Sequence, residues 1–555
     1  MPMARWFVDR LPQRGIPSVS LRRLLPEAQF VGCPDWEVSG CTDDYRRLDP
    51  GQLYVAVRES APGHDGHAFV RQALERGAAG VVVERPCPEA GRLQVVVPDA
   101  MAAHARICQA LAGDPSEQLL TLGVTGSFGR TLGALLVRSI LAAAGERCGL
   151  IGSLGFCDGT TTRSLGAGYS RRGSRPGSSA GSDSLALTGA GSRGGERTYH
   201  RTPGEFAPGA ADLASLLAEM VEHGCKGGVI ELSGDAIANR AIEGISFGAA
   251  MVTDISVPHG LPADILLEKR RVKSKLFRQL LPGGLAVVNA ADPHAEILGG
   301  VNIDACRVAY ALETGPADHV YGPVDVSARL IQMDRKGTRM QLRGFDREAS
   351  VHLPLPGPRA ANAALAAAAL AWAFEIDRDL VVAGLEGVQT VAGNLEAVDE
   401  GQDFDVRVDA AQTPSALAEA LTAVRAISGG RVHCVMSAEG CGDRSLRRVL
   451  AEVAETFADR VILTLSNPRT EDPGQILNDL LAGFRRPGRV RVEPDRRLAI
   501  ETALADARHD DVVLLAGKGR HAYQIFANHV APFDDAAVAR HWLRDHRPTT
   551  IQRSA

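Results

Sequence analysis

The chain has 555 residues, which at about 150 residues per domain points to three or four domains. Its 61 Lys and Arg against 66 Asp and Glu leave a net charge of −5, a near-balance that excludes a protein built mainly to coat nucleic acid. Apolar residues at 45% and charged residues at 23% are the ordinary mix of a globular chain, and ten Cys without a C-x-x-C pair signal neither a disulfide framework nor a zinc site.

The N-terminal MPMARWFVDR lacks the apolar core of a signal peptide, and the scattered cysteines suit a reducing, cytoplasmic setting. Up to about residue 116, Leu53–Val57 (LYVAV) and Gly80–Glu84 (GVVVE) read as strands. HAFVRQALERGAA between them reads as a helix, so a small α/β domain is expected. A second block, 117–391, opens with the strand LLTLGVTG and a helix from about Thr131. Strands follow at Gly227–Leu232, Gly248–Ile255 and Gly284–Ala290, and alternating β and α segments imply a mostly parallel sheet covered on both faces. The apolar run Ala360–Phe374, broken only by Asn362, is shorter than the roughly 20 residues of a membrane span, so no membrane insertion is expected. The third block, 392–555, carries VHCVMSA, DRVILTLSN and DVVLLAG between helical stretches and reads as another open α/β sheet.

One segment inside the second block, about 164–201, is rich in Gly, Ser and Arg. It holds too little apolar surface to offset chain entropy and reads as a disordered insertion, its arginines either solvated or set against an anionic partner.

The sharpest local signal is GVTGSFGRTLGALLVRSIL from Gly123. A buried strand enters a turn at Gly126, Ser127 and Gly129, and an amphipathic helix leaves it. Backbone N–H groups and the helix N-terminus then suit a phosphate. Thr131 stands where a hydroxyl would ligate Mg²⁺, and Arg130 replaces the usual lysine of such a loop. A generic strand–turn–helix of a doubly wound sheet is the competing reading.

The loop, Thr125-Gly-Ser-Phe-Gly-Arg-Thr-Leu132, resembles the T-G-T-N-G-K-T-T of the Mur ligases, specifically the UDP-N-acetylmuramoyl-tripeptide synthetases. The resemblance runs from LRRLLPEA to PFDDAAVAR, outside the Arg/Ser/Gly insertion. It implies an α/β, three-domain architecture: an N-terminal UDP-sugar-substrate domain (1–116), a central ATP-binding domain around a P-loop-type, mostly parallel sheet (117–391), and a Rossmann-like C-terminal amino-acid-binding domain (392–555). IELSGDAI resembles M-E-V-S-S-H-A-L, which places Glu231 at the magnesium-binding glutamate, with Asp235 where the family has histidine. The ungapped stretch Thr253 to Lys273 puts His259 at the metal-binding histidine and Lys273 at the lysine carbamylated in the family, while Pro258 and Leu261 replace acidic positions. VNAADP resembles V-N-x-D-D-P and carries Asn289 and Asp292 to the adenine side; Ala291 replaces one Asp. Read without the family, VNAADP is a strand end and a turn.

In the third block VDAAQTPSAL resembles V-D-Y-A-H-T-P-D-A-L, keeping Asp409 for ATP but placing Gln412 at the histidine; Asn394 stands at an arginine that would face ATP. SNPRTEDP resembles the diaminopimelate-recognition motif D-N-P-R-x-E-D-P, with Asn467 and Arg469 kept and Ser466 in place of the acid. Arg469 suits a bidentate grip on a distal carboxylate. AGKGRHAYQ resembles A-G-K-G-H-E-D-Y-Q, keeping Gly517 and Lys518, with His521 at a glutamate; alone, GKG reads as a tight βα turn. In the first block TDDYRR resembles T-x-D-S-R, with Asp44 and Arg46 for the UDP-sugar and Tyr45 at the serine. Thr202 in HRTPGEF is a weak match to N-T-T-P, and GHDGH around His67 resembles D-G-H-D-F.

The resemblance implies an ATP- and Mg²⁺-dependent ligase that adds a diamino acid, meso-diaminopimelate, to UDP-MurNAc-L-Ala-D-Glu through an acyl phosphate, acting as a monomer. Arg130, His259 and Lys273 would be catalytic; Thr131, Glu231, His259 and Lys273 would hold metal. The altered positions leave an alternative: a catalytically impaired Mur-ligase-like pseudoenzyme that binds nucleotide or other cell-wall enzymes in a scaffold or regulatory role.

Overall fold

In a computed structural model of the chain, residues 18–32, 34–58, 65–127, 129–163, 165, 208–255, 263–292, 295, 304–313 and 322–546 are described. The expected insertion apart from Leu165, and Phe128, Thr202, Pro258, His259 and Leu261, lie outside them.

The first region is a five-stranded sheet of β1 (Gln29–Val31), β2 (Cys41–Thr42), β3 (Leu53–Val55), β4 (Gly80–Val83) and β5 (Gln94–Val96), in the order β1-β5-β4-β3-β2. Only β1 runs antiparallel to its neighbour. The long helix α1 (Ala100–Leu111) covers one face, with Ala100, Ala103 and Ile107 packed against Val55, Val82 and Val95.

The central sheet has eleven strands among the described residues. They are β6 (Leu120–Thr125), β7 (Cys148–Gly152), β8 (Gly155–Cys157), β9 (Thr162–Arg163), β10 (Gly227–Leu232), β11 (Phe247–Val252), β12 (Leu280–Asn289), β13 (Ala305–Glu313), β14 (Val326–Asp334), β15 (Gly337–Gly344) and β16 (Arg347–Leu353). Their order is β9-β8-β7-β10-β6-β11-β12-β13-β14-β15-β16. The run β7 to β14 across the middle is parallel, and antiparallel strands extend both edges. β6, β10 and β11 are buried along their whole length, as continuous apolar strands covered on both faces must be. β16 alternates exposed and buried residues, the pattern of a strand with one solvated face.

Helix α2 (Arg130–Ala143) leaves β6 one residue earlier than the sequence suggested. Its apolar stripe of Leu132, Leu136, Val137 and Ile140 shares a core with α5 (Pro358–Ala373), the helix formed by the alanine-rich run. Small side chains let α5 bury residues on nearly every side, so the run is a core helix. No helix among the described residues is long and apolar enough to cross a membrane. Two further helices flank this sheet, α3 (Ala210–Glu222) and α4 (Ala263–Ser274).

The last region is a six-stranded sheet of β17 (Glu396–Ala397), β18 (Asp405–Asp409), β19 (Val432–Met436), β20 (Arg460–Leu463), β21 (Val490–Val492) and β22 (Val512–Ala516), in the order β17-β18-β22-β19-β20-β21. Only β17 is antiparallel to its neighbour. Arg496 and Asp535, both fully buried, close a bidentate pair beneath it, Nε to Oδ1 at 2.8 Å and Nη2 to Oδ2 at 2.6 Å. This sheet is fastened to the central region by Arg335 Nη2 to Asp510 Oδ1 at 2.8 Å, by Arg407 Nη2 to the Arg335 carbonyl at 2.9 Å, and by an Arg359–Glu419 ion pair.

Candidate functional site

In the central sheet Val252 of β11 and Leu232 of β10 both pair with Thr125, so three parallel strands end at one level. Open α/β sheets bind ligands at such carboxyl ends. The turn after Thr125 is pinned from both sides: Thr125 Oγ1 donates to the Leu232 carbonyl at 2.9 Å, and the Ser127 amide donates to the Asp254 carbonyl at 2.8 Å. Gly129 closes the turn at φ 72°, a left-handed conformation that costs glycine little, and caps α2. The 14-residue helix directs its partial positive charge at the turn.

The register places Glu231 opposite Val124, beside this turn and 3% exposed. Its Oε1 accepts from Arg130 Nε at 2.9 Å and Thr131 Oγ1 at 2.7 Å; its Oε2 accepts from the Ser153 amide and Ser153 Oγ, both at 2.8 Å. Burial works to raise its pKa, but the Arg130 charge and the hydrogen bonds hold the carboxyl below its usual range. Lys273 comes from α4, is buried, and donates from Nζ to Ser127 Oγ. Lys273 thus reaches the start of the turn, and Glu231 the first residues of the helix that leaves it. Where His259 stands relative to them lies outside the described residues.

Asn289 and Asp292 stitch neighbouring strand ends. Asn289 Nδ2 donates to the Thr253 carbonyl at 3.3 Å, and Asp292 Oδ2 accepts from the Ile255 amide at 2.7 Å. Asp409, at the end of β18, accepts from the Leu395 amide at 2.9 Å. Burial pushes its pKa up to about 6, against the pull of the Arg359 guanidinium from α5. Arg359 also feels Asp254, so two acids from different regions share one half-buried cation.

In the last sheet Glu439 follows β19, and Ser466, Asn467 and Arg469 follow β20. Glu439 Oε1 accepts from Asn467 Nδ2 at 2.8 Å and Ser466 Oγ at 3.2 Å, while Oε2 pairs with Arg469 Nη2 at 3.3 Å. Arg469 sits at φ 56°, held there by its amide donating to the Ile525 carbonyl at 3.0 Å. Lys518 is 1% exposed; burial, then Arg496, lower its pKa to about 8, and its Nζ donates to the Tyr523 carbonyl. Gly517 adopts φ 106°, and its amide donates to the Asp409 carbonyl at 2.9 Å. The βα turn suggested for GKG is corrected here: the chain passes into an antiparallel hairpin, Tyr523–Ile525 against Val530–Pro532. A hairpin forms because Asn467 Oδ1 takes the Ile525 amide at 2.9 Å, fastening this segment to the β20 loop.

Residues 185–371 match the Mur ligase middle domain and residues 394–519 the Mur ligase, glutamate ligase domain. The UDP-N-acetylmuramyl-tripeptide synthetase of Roseiflexus sp. (strain RS-1) is 33% identical over 530 residues, covering 92% of this chain and 95% of that one. The chain belongs to the Mur ligase family. Another relative in the family, the UDP-N-acetylmuramoyl-L-alanyl-D-glutamate–2,6-diaminopimelate ligase of Gloeobacter violaceus, is 33% identical over 547 residues, covering 96% and 99% of the two chains. Among solved structures, a UDP-N-acetylmuramoyl-L-alanyl-D-glutamate–2,6-diaminopimelate ligase superposes with a TM-score of 0.62 at 23% identity, over 96% of this chain and all of that one. A Mycobacterium tuberculosis folylpolyglutamate synthase complexed with ADP and AMPPCP shares the fold at a TM-score of 0.56 and 19% identity, over 80% and 96%.

Against this Mur ligase frame, the first region presents Asp44 and Arg46 as a bidentate pair with each other, Arg46 Nε to Oδ1 at 2.9 Å and Nη2 to Oδ2 at 3.0 Å. Asp44 also caps the short turn Tyr45–Arg47, and Tyr45 stacks on Phe69 at 5.0 Å. His67 accepts the Glu84 amide on Nε2 at 2.9 Å and faces Asp65 through Nδ1 at 2.6 Å, so both ring nitrogens are engaged within the first region. Three residues emerge that motif reading passed over. Ser153 supplies two of the four donors to Glu231. Glu439 gathers Ser466, Asn467 and Arg469. Arg520, just before the hairpin, has its pKa lowered by burial, and Glu231 lies within electrostatic reach and pulls the other way. Ser153 and Glu439 are brought in by strand-end loops from elsewhere in the chain, and Arg520 lies inside AGKGRHAYQ without matching its motif.

Proposed function

We propose that this Mur ligase is an ATP-dependent amide ligase of peptidoglycan precursor synthesis, adding a diamino acid, meso-diaminopimelate, to UDP-MurNAc-L-Ala-D-Glu. The observation that supports the reading is the meeting of Thr131, Glu231 and Lys273 at one glycine-bounded turn. A carboxylate of the dipeptide attacks the γ-phosphorus of ATP, ADP leaves, and an acyl phosphate forms. The amine of the incoming amino acid attacks the acyl carbon, phosphate leaves, and the nitrogen gives up a proton. Such chemistry asks for alignment and charge neutralisation more than covalent help.

A carboxylate, hydroxyls and a helix N-terminus around one turn are hard donors and anion-binding groups, which suit Mg²⁺ and a triphosphate. Thr131, Glu231, His259 and a carbamylated Lys273 are the proposed metal ligands; the metal, when bound, neutralises phosphate charge. Gly126, Ser127, Gly129 and Arg130 would cradle the phosphates, with Asn289, Asp292 and Asp409 on the nucleoside side. Asn467, Arg469, Gly517 and Lys518 would receive the amino acid, and Asp44, Arg46 and Thr202 the UDP-sugar, within domains bounded at about 116 and 391. To reach the γ-phosphate, Arg130 must leave Glu231.

The test is ligation by the purified chain with ATP, UDP-MurNAc-L-Ala-D-Glu and either diaminopimelate or lysine, following ADP and product. Product with diaminopimelate that disappears in Lys273→Ala is the expected result. Nucleotide binding without product for either amino acid overturns it. That outcome belongs to the pseudoenzyme reading, which one observation favours: Arg130, a cation of the chain itself, already occupies Glu231.

A further inference from the structure

The first region holds a side-chain cluster unrelated to the nucleotide turn. Cys41 lies on β2, and His104 and Cys108 stand four residues apart on α1, hence on one helix face. One donor atom from each of the three lies within 4.8 Å of the other two. Cys41 Sγ and Cys108 Sγ are 3.8 Å apart. A disulfide would hold them at about 2.05 Å. Two thiolates on a tetrahedral Zn²⁺, each at about 2.3 Å, stand about 3.8 Å apart. His104 and Cys108 are buried, Cys41 is partly covered, and Asp43, two residues beyond Cys41, brings its Oδ2 to 3.9 Å from His104 Nδ1.

We propose that Cys41, His104 and Cys108, with the Asp43 carboxylate or a water as fourth ligand, form a Zn²⁺ site that clamps β2 to α1. Two sulfurs and an imidazole suit a borderline-soft cation, and Asp43 is half-exposed, which leaves an entry path. The consequence is positional. Thr42 and Asp44 follow Cys41 directly, and Thr42 Oγ1 takes the Asp44 amide at 3.1 Å, so a metal at Cys41 would stiffen the loop that presents Asp44 and Arg46. The proposal does not depend on ligase activity.

The experiment uses the full chain, purified under reducing conditions, stripped with a chelator and titrated with Zn²⁺ and with Co²⁺. One equivalent should bind, with thiolate-to-cobalt charge-transfer bands and the visible d–d bands of a tetrahedral site. Bound Zn²⁺ should shield Cys41 and Cys108 from alkylation in the intact chain. Cys41→Ser and Cys108→Ser should each weaken binding by at least about 100-fold. If a serine variant fails to fold, protection of the unaltered chain from alkylation still decides. Any of three results overturns the proposal: no uptake at micromolar metal, uptake undiminished in a folded Cys41→Ser/Cys108→Ser chain, or recovery of a Cys41–Cys108 disulfide in place of metal binding.

Discussion

The turn after β6 and the β20 loop region both centre on a carboxylate gripped by several donors, yet they were assembled differently. At the turn, Glu231 takes its donors from Arg130 and Thr131 at the start of α2 and from Ser153 after β7. At the β20 loop the motif's own acid is replaced by Ser466, and the negative charge comes from Glu439 on a neighbouring strand end. The difference teaches where substitution is tolerated. A carboxylate that must sit level with a strand end and face the turn after β6 has one register available, opposite Val124. A carboxylate that serves only to place negative charge among Ser466, Asn467 and Arg469 can arrive from any loop that reaches them, because charge acts over several ångströms.

Removing each carboxylate measures that contrast. Glu231→Ala should lower ADP formation by roughly 100- to 1000-fold, the loss of a well-placed electrostatic group, while circular dichroism stays native. A variant with unchanged turnover would break the comparison at its stronger end.

Asp409→Asn follows in size and reads out in stability. The folded chain holds the Asp409 proton up to about pH 6, whereas the ordinary aspartate value is 3.8. The proton's stabilisation is complete below about 3.8 and is lost as pH rises through 6. Above that pH the buried anion costs on the order of 3 kcal/mol by linkage. Asp409→Asn should therefore unfold at higher urea than the parent at pH 8, with the gap closing by pH 4.

Glu439→Gln keeps the shape of the β20 site and removes its charge. It should lower kcat/KM for a diamino acid by roughly 2 kcal/mol, about 30-fold, and leave KM for ATP unchanged. Parallel losses in both constants would mean that Glu439 supports the fold and not the amino acid.

The smallest effect concerns Arg130. Arg130→Lys trades a planar fork for a compact ammonium and loosens a partly exposed ion pair, worth roughly 1 kcal/mol. ATP should bind about fivefold more tightly by calorimetry. Weaker binding would show that the guanidinium itself holds the phosphates.

What could be read from the residues alone was what is local. The β6–turn–α2 unit announced itself because a buried strand, glycine punctuation and a helical apolar stripe are all contiguous. The antiparallel strands β14 to β16 were not separated in advance, since their one-sided burial gives an alternation that neighbouring polar turns blur. Ser153, Glu439 and the Cys41–His104–Cys108 cluster were invisible for another reason: contacts between residues 78, 28 and 67 positions apart leave no periodic trace in a single chain.

Linear order thus determined the family, the alternation of strands and helices, and which residue types stand at the turn. Tertiary structure decided who is paired with whom: that Arg130 spends its charge on Glu231, that Asp409 shares Arg359 with Asp254, and that two thiols meet an imidazole across β2 and α1. Pairing is decided by burial and proximity, and both exist only once parallel strand ends have been brought level and helices packed across them.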